Sequence, residues 1–166
     1  MAFTKAELED LRNHPKRYNL SGTDLSGADL RGVDLGQMDL TFANLIGADL
    51  SRANLHEAKL SSAKLSEAAL DYAILRKADL TGADLSRADL NYAKLEGADL
   101  RQANLHGTFL NNANLEAADL READLRDTLL KNTNLLEVNL HGARYSKATK
   151  WPMGFDPVKA GAILES

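Results

Sequence analysis

The sequence predicts an all-β solenoid with a cap at each end, and three observations predict it. Every fifth residue from Leu20 to Leu140 is leucine, 25 in a row without an insertion or substitution. The residue two before each leucine is usually alanine, as in Ala28-Asp29-Leu30, Ala48-Asp49-Leu50, Ala83-Asp84-Leu85 and Ala98-Asp99-Leu100. The register gives way only near the termini, where residues of a different kind replace the repeat. A period of five fits neither a 3.6-residue helix nor a two-residue strand alternation, so the apolar positions would wander off any helical stripe. The pattern is satisfied if each unit forms one short side of a coil, turns a corner at its last two residues, and points its alanine and leucine inward.

The first element is a helix. Thr4-Lys5-Ala6-Glu7 reads as a capping box, and Phe3 and Leu8 are placed for a hydrophobic staple, so the helix should run from about Lys5 to Asn13 and end before Pro15. A solenoid leaves core side chains and ladder edges open at its ends, and an uncovered edge invites pairing between chains. Phe3, Leu8 and Leu11 are therefore expected to lie over the first coil, with residues 1–17 as an N-terminal cap.

The repeat over residues 18–142 resembles the pentapeptide-repeat family, and the match covers about three quarters of the chain. The resemblance implies a right-handed quadrilateral β-helix with four units per coil. Leucine and the small residue two before it stack inside, and backbone ladders join the coils. The 25 units then make about six coils, a column roughly 29 Å long at ~4.8 Å per coil.

After Leu140 the leucine register yields to Tyr145, and the chain continues as Trp151-Pro152-Met153-Gly154-Phe155-Asp156-Pro157. Glycine and proline turns mark a second cap over residues 143–166, in which Trp151 and Phe155 plug the last coil. Thr149, Trp151, Pro152, Gly154 to Pro157 and Ala160 to Ala162 resemble a tail that recurs in pentapeptide-repeat proteins of cyanobacteria, which suggests such a source. A dimer seam between two tails is the alternative reading of these residues, so a monomer or a weak homodimer through an end is expected. The whole chain is read as a single domain.

Composition removes several classes of function. The chain has no cysteine, which leaves neither a disulfide framework nor a thiolate metal site. Its first twenty residues hold no apolar run long enough for a signal-peptide core or a membrane span, so a cytoplasmic location without membrane contact is expected. With 24 acids against 20 bases the net charge is −4, too even to attract nucleic acid. His56, His106 and His141 fall at different points of a twenty-residue cycle and His14 lies in the N-terminal cap, so they do not converge. A leucine-filled column offers no cavity for a metal or an acid–base pair, and no catalytic residue, metal or cofactor is expected. Asp79, Asp99 and Asp119 stack on one face and are read as a solvated row, since no second oxygen-rich layer surrounds them. Threonine is too scattered for an ice-binding ladder: Thr41 and Thr81 share a row with Ser61 and then Arg101.

With four units per coil, residues twenty apart share a face, and each face can be named by its first leucine. The Leu20, Leu25 and Leu35 faces each carry five acids and three bases, and the Leu30 face four and three. The best-known functional branch of the family resembles duplex DNA and acts on type II topoisomerases such as gyrase, which makes a DNA mimic the alternative reading. Mimicry needs a continuous anionic stripe, and Arg31, Arg52, Arg76, Lys77, Lys94 and Arg121 interrupt it. The departures from the outer pattern are apolar instead. On the Leu30 face the position before leucine holds Ala69, Phe109 and Leu129, Tyr72 and Tyr92 stack at the adjoining corner, and the Leu35 face adds Ile74 and Leu136. Apolar clusters on a polar surface mark protein contacts. The sequence thus points to a non-catalytic interaction or scaffold protein with an unnamed protein partner.

Overall fold

The computed structural model describes residues 3–165; residues 1, 2 and 166, which the sequence assigns to the two caps, lie outside them. Helix α1 spans Lys5–Asn13. Thr4 supplies the N-cap, its side chain accepting from the Glu7 N–H while the Glu7 carboxylate accepts from the Thr4 N–H, and a 3₁₀ turn over Pro15–Arg17 leads into the column. Leu11 is completely buried, Leu8 and Phe3 pack partly against the core, and the Phe3 ring lies 5.6 Å from that of Tyr18.

The body of the chain is a ladder of parallel bridges that climbs in steps of twenty residues: Asp24 to Asn44, Asp84 to Asn104, Asp99 to Asp119. Four pentapeptides therefore complete one coil. A side of the coil is too short to be a strand in its own right. Only the residue before each leucine bridges both neighbouring coils, so the all-β expectation is met by isolated bridges, and the regular strands are confined to β1 (Arg144–Tyr145) and β2 (Ile163–Leu164), which pair in parallel. Backbone bonds nonetheless run continuously between coils: Leu25 donates to the Asn44 carbonyl, Asn44 to Thr23, and Gly27 to Ile46, at 2.8–2.9 Å.

The corners follow one rule. The N–H of the inward small residue donates to the leucine carbonyl three back, as from Ala28 to Leu25 and Ala83 to Leu80. The residue two after every leucine from Leu20 to Leu140 has φ between 55° and 72°. Positive φ at this place alone defines a type II turn, for which glycine is the easiest residue. Seventeen of these positions are not glycine, and none of the seventeen is valine, isoleucine or threonine, whose branched Cβ tolerates left-handed backbone worst.

Leucines 20 to 130 are at most 1% exposed, and the alanines two before them are at most 4% exposed. Thr108, Thr128 and Thr133 replace alanine inside the column, and each hydroxyl donates at 2.7 Å to a leucine carbonyl of the preceding coil. Leu135 departs from the inward expectation and is only half-buried. The ladder of its face ends at Asn134, and the irregular tail above it gives poorer cover. The tail keeps contact by slipping one residue: Leu129 bridges to Lys150, 21 residues on, and Ser146 closes the slip by accepting from the Asp127 N–H and donating to its carboxylate. Trp151 stacks on Phe155 at 5.2 Å and meets Tyr145 edge-on at 5.6 Å.

Candidate protein-contact surface

The outward residue before each leucine has a structural duty that decides which side chains are free for other work. Two of the three outer N–H groups of a unit enter the inter-coil ladder, leaving that of the residue just after leucine. Where the position before leucine is Asp or Asn, its Oδ1 takes this N–H: Asp49 from Ser51, Asp79 from Thr81, Asp84 from Ser86, Asp89 from Asn91, Asn104 from His106. These are Asx turns, and they explain why the repeat prefers Asp and Asn over other polar residues.

On the Leu20 face the duty is combined with ion pairing. Asp99 accepts from the Arg101 N–H and from its guanidinium Nε and Nη2 at 2.8 and 2.6 Å, and Arg121 clamps Asp119 in the same way. Hydrogen bonds from these arginine side chains hold both carboxyls below the usual carboxylate range, against the opposing push of partial burial. In the row read as solvated, Asp99 and Asp119 are therefore neutralised by their own arginines, while Asp79 accepts from the Thr81 N–H and the Ser61 hydroxyl. Asp124 goes further: burial raises its pKa, but hydrogen bonds from Arg126 outweigh it, and Arg144 approaches from the coil above. Both arginines also reach Glu165, tying the tail to the column.

Phe109 and Leu129 cannot cap, and the neighbouring coil takes over. The Asn111 N–H donates to Asn91 Oδ1 at 2.9 Å, and the Lys131 N–H donates to Asn111 Oδ1 at 3.1 Å, each bond crossing from one coil to the next. At Ala69 and Ile74, the other apolar residues in this position, no such substitute is present among the described residues. The turns beside Phe109 and Leu129 thus stay satisfied without them, and their side chains are left with no task in the ladder.

These two residues bridge directly to each other, Phe109 remaining 41% exposed and Leu129 half-buried. At the adjoining corner Tyr72 and Tyr92 are each 48% exposed and stack with centroids 4.8 Å apart and planes 3° from parallel. Arg52 covers the free face of Tyr72 at 5.7 Å. Half-buried Ile74 bridges to Asn54 and Lys94 around the corner, whereas exposed Leu136 belongs to a row three coils further along and does not join it. The structure therefore places two pairs, Tyr72 with Tyr92 and Phe109 with Leu129, on one side of the column, with Ile74 at the margin.

Within the repeat, two exposed apolar residues escape the sequence reading: Phe42, 65% exposed, at the corner after Leu40, and Ile46, at the next corner, after Leu45. The signal that finds them is the same departure rule applied after leucine instead of before it. The histidines remain dispersed, His56 against the Arg76 carbonyl and His106 near Asp127. Among the described residues no group of acids and histidines could hold a metal ion, and no helix is long and apolar enough to cross a membrane.

The profile of the family described as pentapeptide repeats, in eight copies, matches residues 19–56, 48–87, 63–102, 83–121 and 110–144. Among solved structures, alr5209, a pentapeptide repeat protein from Nostoc PCC 7120, is 36% identical over 68% of this chain and 84% of its own, with a TM-score of 0.44. Rfr23 from the cyanobacterium Cyanothece 51142 is 31% identical over 78% and 88%, with a TM-score of 0.42. HetL, involved in heterocyst differentiation regulation in Nostoc sp. strain PCC 7120, is 27% identical over 98% and 94%, with a TM-score of 0.33. All three come from cyanobacteria, the source that the tail suggests. No curated protein matches the chain.

Proposed function

The chain belongs to the pentapeptide-repeat family, and from that premise we propose that it is a non-catalytic cytoplasmic interaction protein that offers one side of its column, of about six coils, to a protein partner. Membership implies a right-handed quadrilateral β-helix, an architecture that presents surfaces and encloses no cavity. The observation that supports the reading is a side that carries Tyr72 stacked on Tyr92 and Phe109 bridged to half-buried Leu129, with the turns beside Phe109 and Leu129 capped by asparagines of the neighbouring coil. Large aromatic and aliphatic side chains without a structural duty are the kind that anchor interfaces. The alternative of a topoisomerase-directed DNA mimic draws no support from the acid rows, because the Asp99 and Asp119 carboxylates are spent on arginine clamps.

The test is capture of partners from a lysate of the source organism by wild type and by a Phe109→Ser, Leu129→Ser double variant of unchanged melting temperature. A defined protein retained by wild type and lost by the variant supports the surface. Identical capture by both, or none by either, removes it. No change in gyrase supercoiling at high protein concentration disposes of the alternative.

A further inference from the structure

The face totals conceal how charge is arranged along the column. On the Leu30 face all four acids lie in the N-terminal part, at Asp29, Asp49, Asp71 and Asp89, and each already accepts a hydrogen bond or an ion pair. Asp29 pairs with Arg31 and with Arg12 of α1, and Arg31 also reaches Asp49. From Asn91 onward the outward positions of this face hold no acid, and Lys131 and Lys150 stand there. Both lysines are exposed, and neither has an ion partner among the described residues. Lys150 bridges directly to Leu129, while Lys131 is the second residue after it, its N–H held by Asn111. Exposed Lys94, also without an ion partner there, follows Tyr92 around the corner. The aromatic and aliphatic residues are therefore bordered by three unpaired ammonium groups, on a protein whose net charge is −4, and the one acid at the corner before Leu129, Asp127, is engaged by Ser146 and His106.

We infer that the occupant of this surface is an acidic protein segment carrying apolar side chains. The inference rests on the contact-surface reading and adds the chemistry of the partner to it. Apolar side chains of the segment would cover Phe109, Leu129 and Tyr92 and supply most of the affinity, while its carboxylates would meet Lys94, Lys131 and Lys150 at the rim, where charge sets orientation and association rate. Asp71 and Asp89, which accept hydrogen bonds but have no cationic partner among the described residues, would turn an acidic segment away from the N-terminal part of the face, which fixes its position toward the tail.

The test uses the full chain and a fluorescein-labelled peptide of about twelve residues that alternates glutamate with leucine and phenylalanine, against the same peptide with every glutamate replaced by lysine. Fluorescence anisotropy at low salt should show the acidic peptide binding at least tenfold more tightly than the basic one. Binding should weaken steeply as salt rises. Lys131→Glu, Lys150→Glu should reverse the preference, and Phe109→Asn, Leu129→Asn, which introduces residues the repeat already favours there, should abolish binding without lowering the melting temperature. Basic-peptide binding that equals or exceeds acidic and still depends on Phe109 and Leu129 overturns the acidic partner while leaving the surface standing. Binding that ignores both pairs of substitutions, or no binding of either peptide, overturns this inference, and the former counts against the surface as well.

Discussion

The rows Asp79, Asp99, Asp119 and Asp89, Phe109, Leu129 occupy equivalent places on two sides of one column, each bridged coil to coil through the same backbone geometry. In the first, every side chain caps the turn beside it, and the last two are locked by arginines. In the second, only Asp89 does so, and asparagines one coil away cap the turns beside the two apolar residues. The first row closes on itself electrostatically and offers little to a partner. The second is structurally relieved, partly exposed and bordered by free lysines. The comparison teaches that in a fold where nearly every position is committed to architecture, a candidate contact residue is found where the architectural duty has been handed to a neighbour.

The largest expected effect breaks what both rows share. Leu85→Lys places an unpaired charge in the middle of a fully enclosed column and should cost several kcal/mol, removing the cooperative thermal transition followed by circular dichroism. A melting curve like that of wild type would contradict the inward leucine stack. Ala83→Leu overfills a site that is likewise completely enclosed, and should cost about 1–3 kcal/mol, seen as a lowered urea midpoint. Because neighbouring coils support one another, neither effect should stay confined to one face.

Those two expectations are legible in the sequence because a five-residue period with leucine at one place allows few inward arrangements. The N-terminal helix is legible too, since a capping box is a local signal and Thr4 and Glu7 carry it. The Asx turns are not, because the bond from Thr81 to Asp79 exists only once the following residue has turned left-handed and the coil has closed. The same dependence hides the exchange at Asn91 and Asn111, which joins residues twenty apart. Leu135 looks like every other leucine in the repeat, and only the failure of the ladder above Asn134 leaves it half-covered. Charge summed by face misses the separation along the axis that sets Lys131 and Lys150 apart from Asp49 and Asp71. Phe42 and Ile46 obey the outward pattern and break it only in polarity.

A smaller effect sharpens the contrast through pH. The Asp99 and Asp119 carboxyls are held below their unfolded value of about 3.9 by the arginine clamps. A depressed folded pKa contributes stability that is fully present above the unfolded pKa and is lost as pH falls through the folded one. The melting temperature should therefore be level from neutral pH to about pH 5 and fall below about pH 4. Asp99→Asn, Asp119→Asn keeps the turn caps, as Asn104 does elsewhere, and should flatten part of that acid decline. The change is small because the pairs are partly solvated. An unchanged acid limb would show that the clamps contribute nothing to stability.

The exchange of duty between coils is tested most directly by a double-mutant cycle of Asn91→Ala and Phe109→Asp, with stabilities from urea denaturation. In the wild-type background Asn91→Ala strips the Asn111 N–H of its acceptor and should cost about 1 kcal/mol. In the Phe109→Asp background the new carboxylate caps the same N–H, as Asp89 caps that of Asn91, so Asn91→Ala should cost almost nothing and the coupling should be about 1 kcal/mol. An equal cost in both backgrounds would mean that Asn91 does not stand in for the missing cap, and that Phe109 has not been released from the ladder for work at the surface.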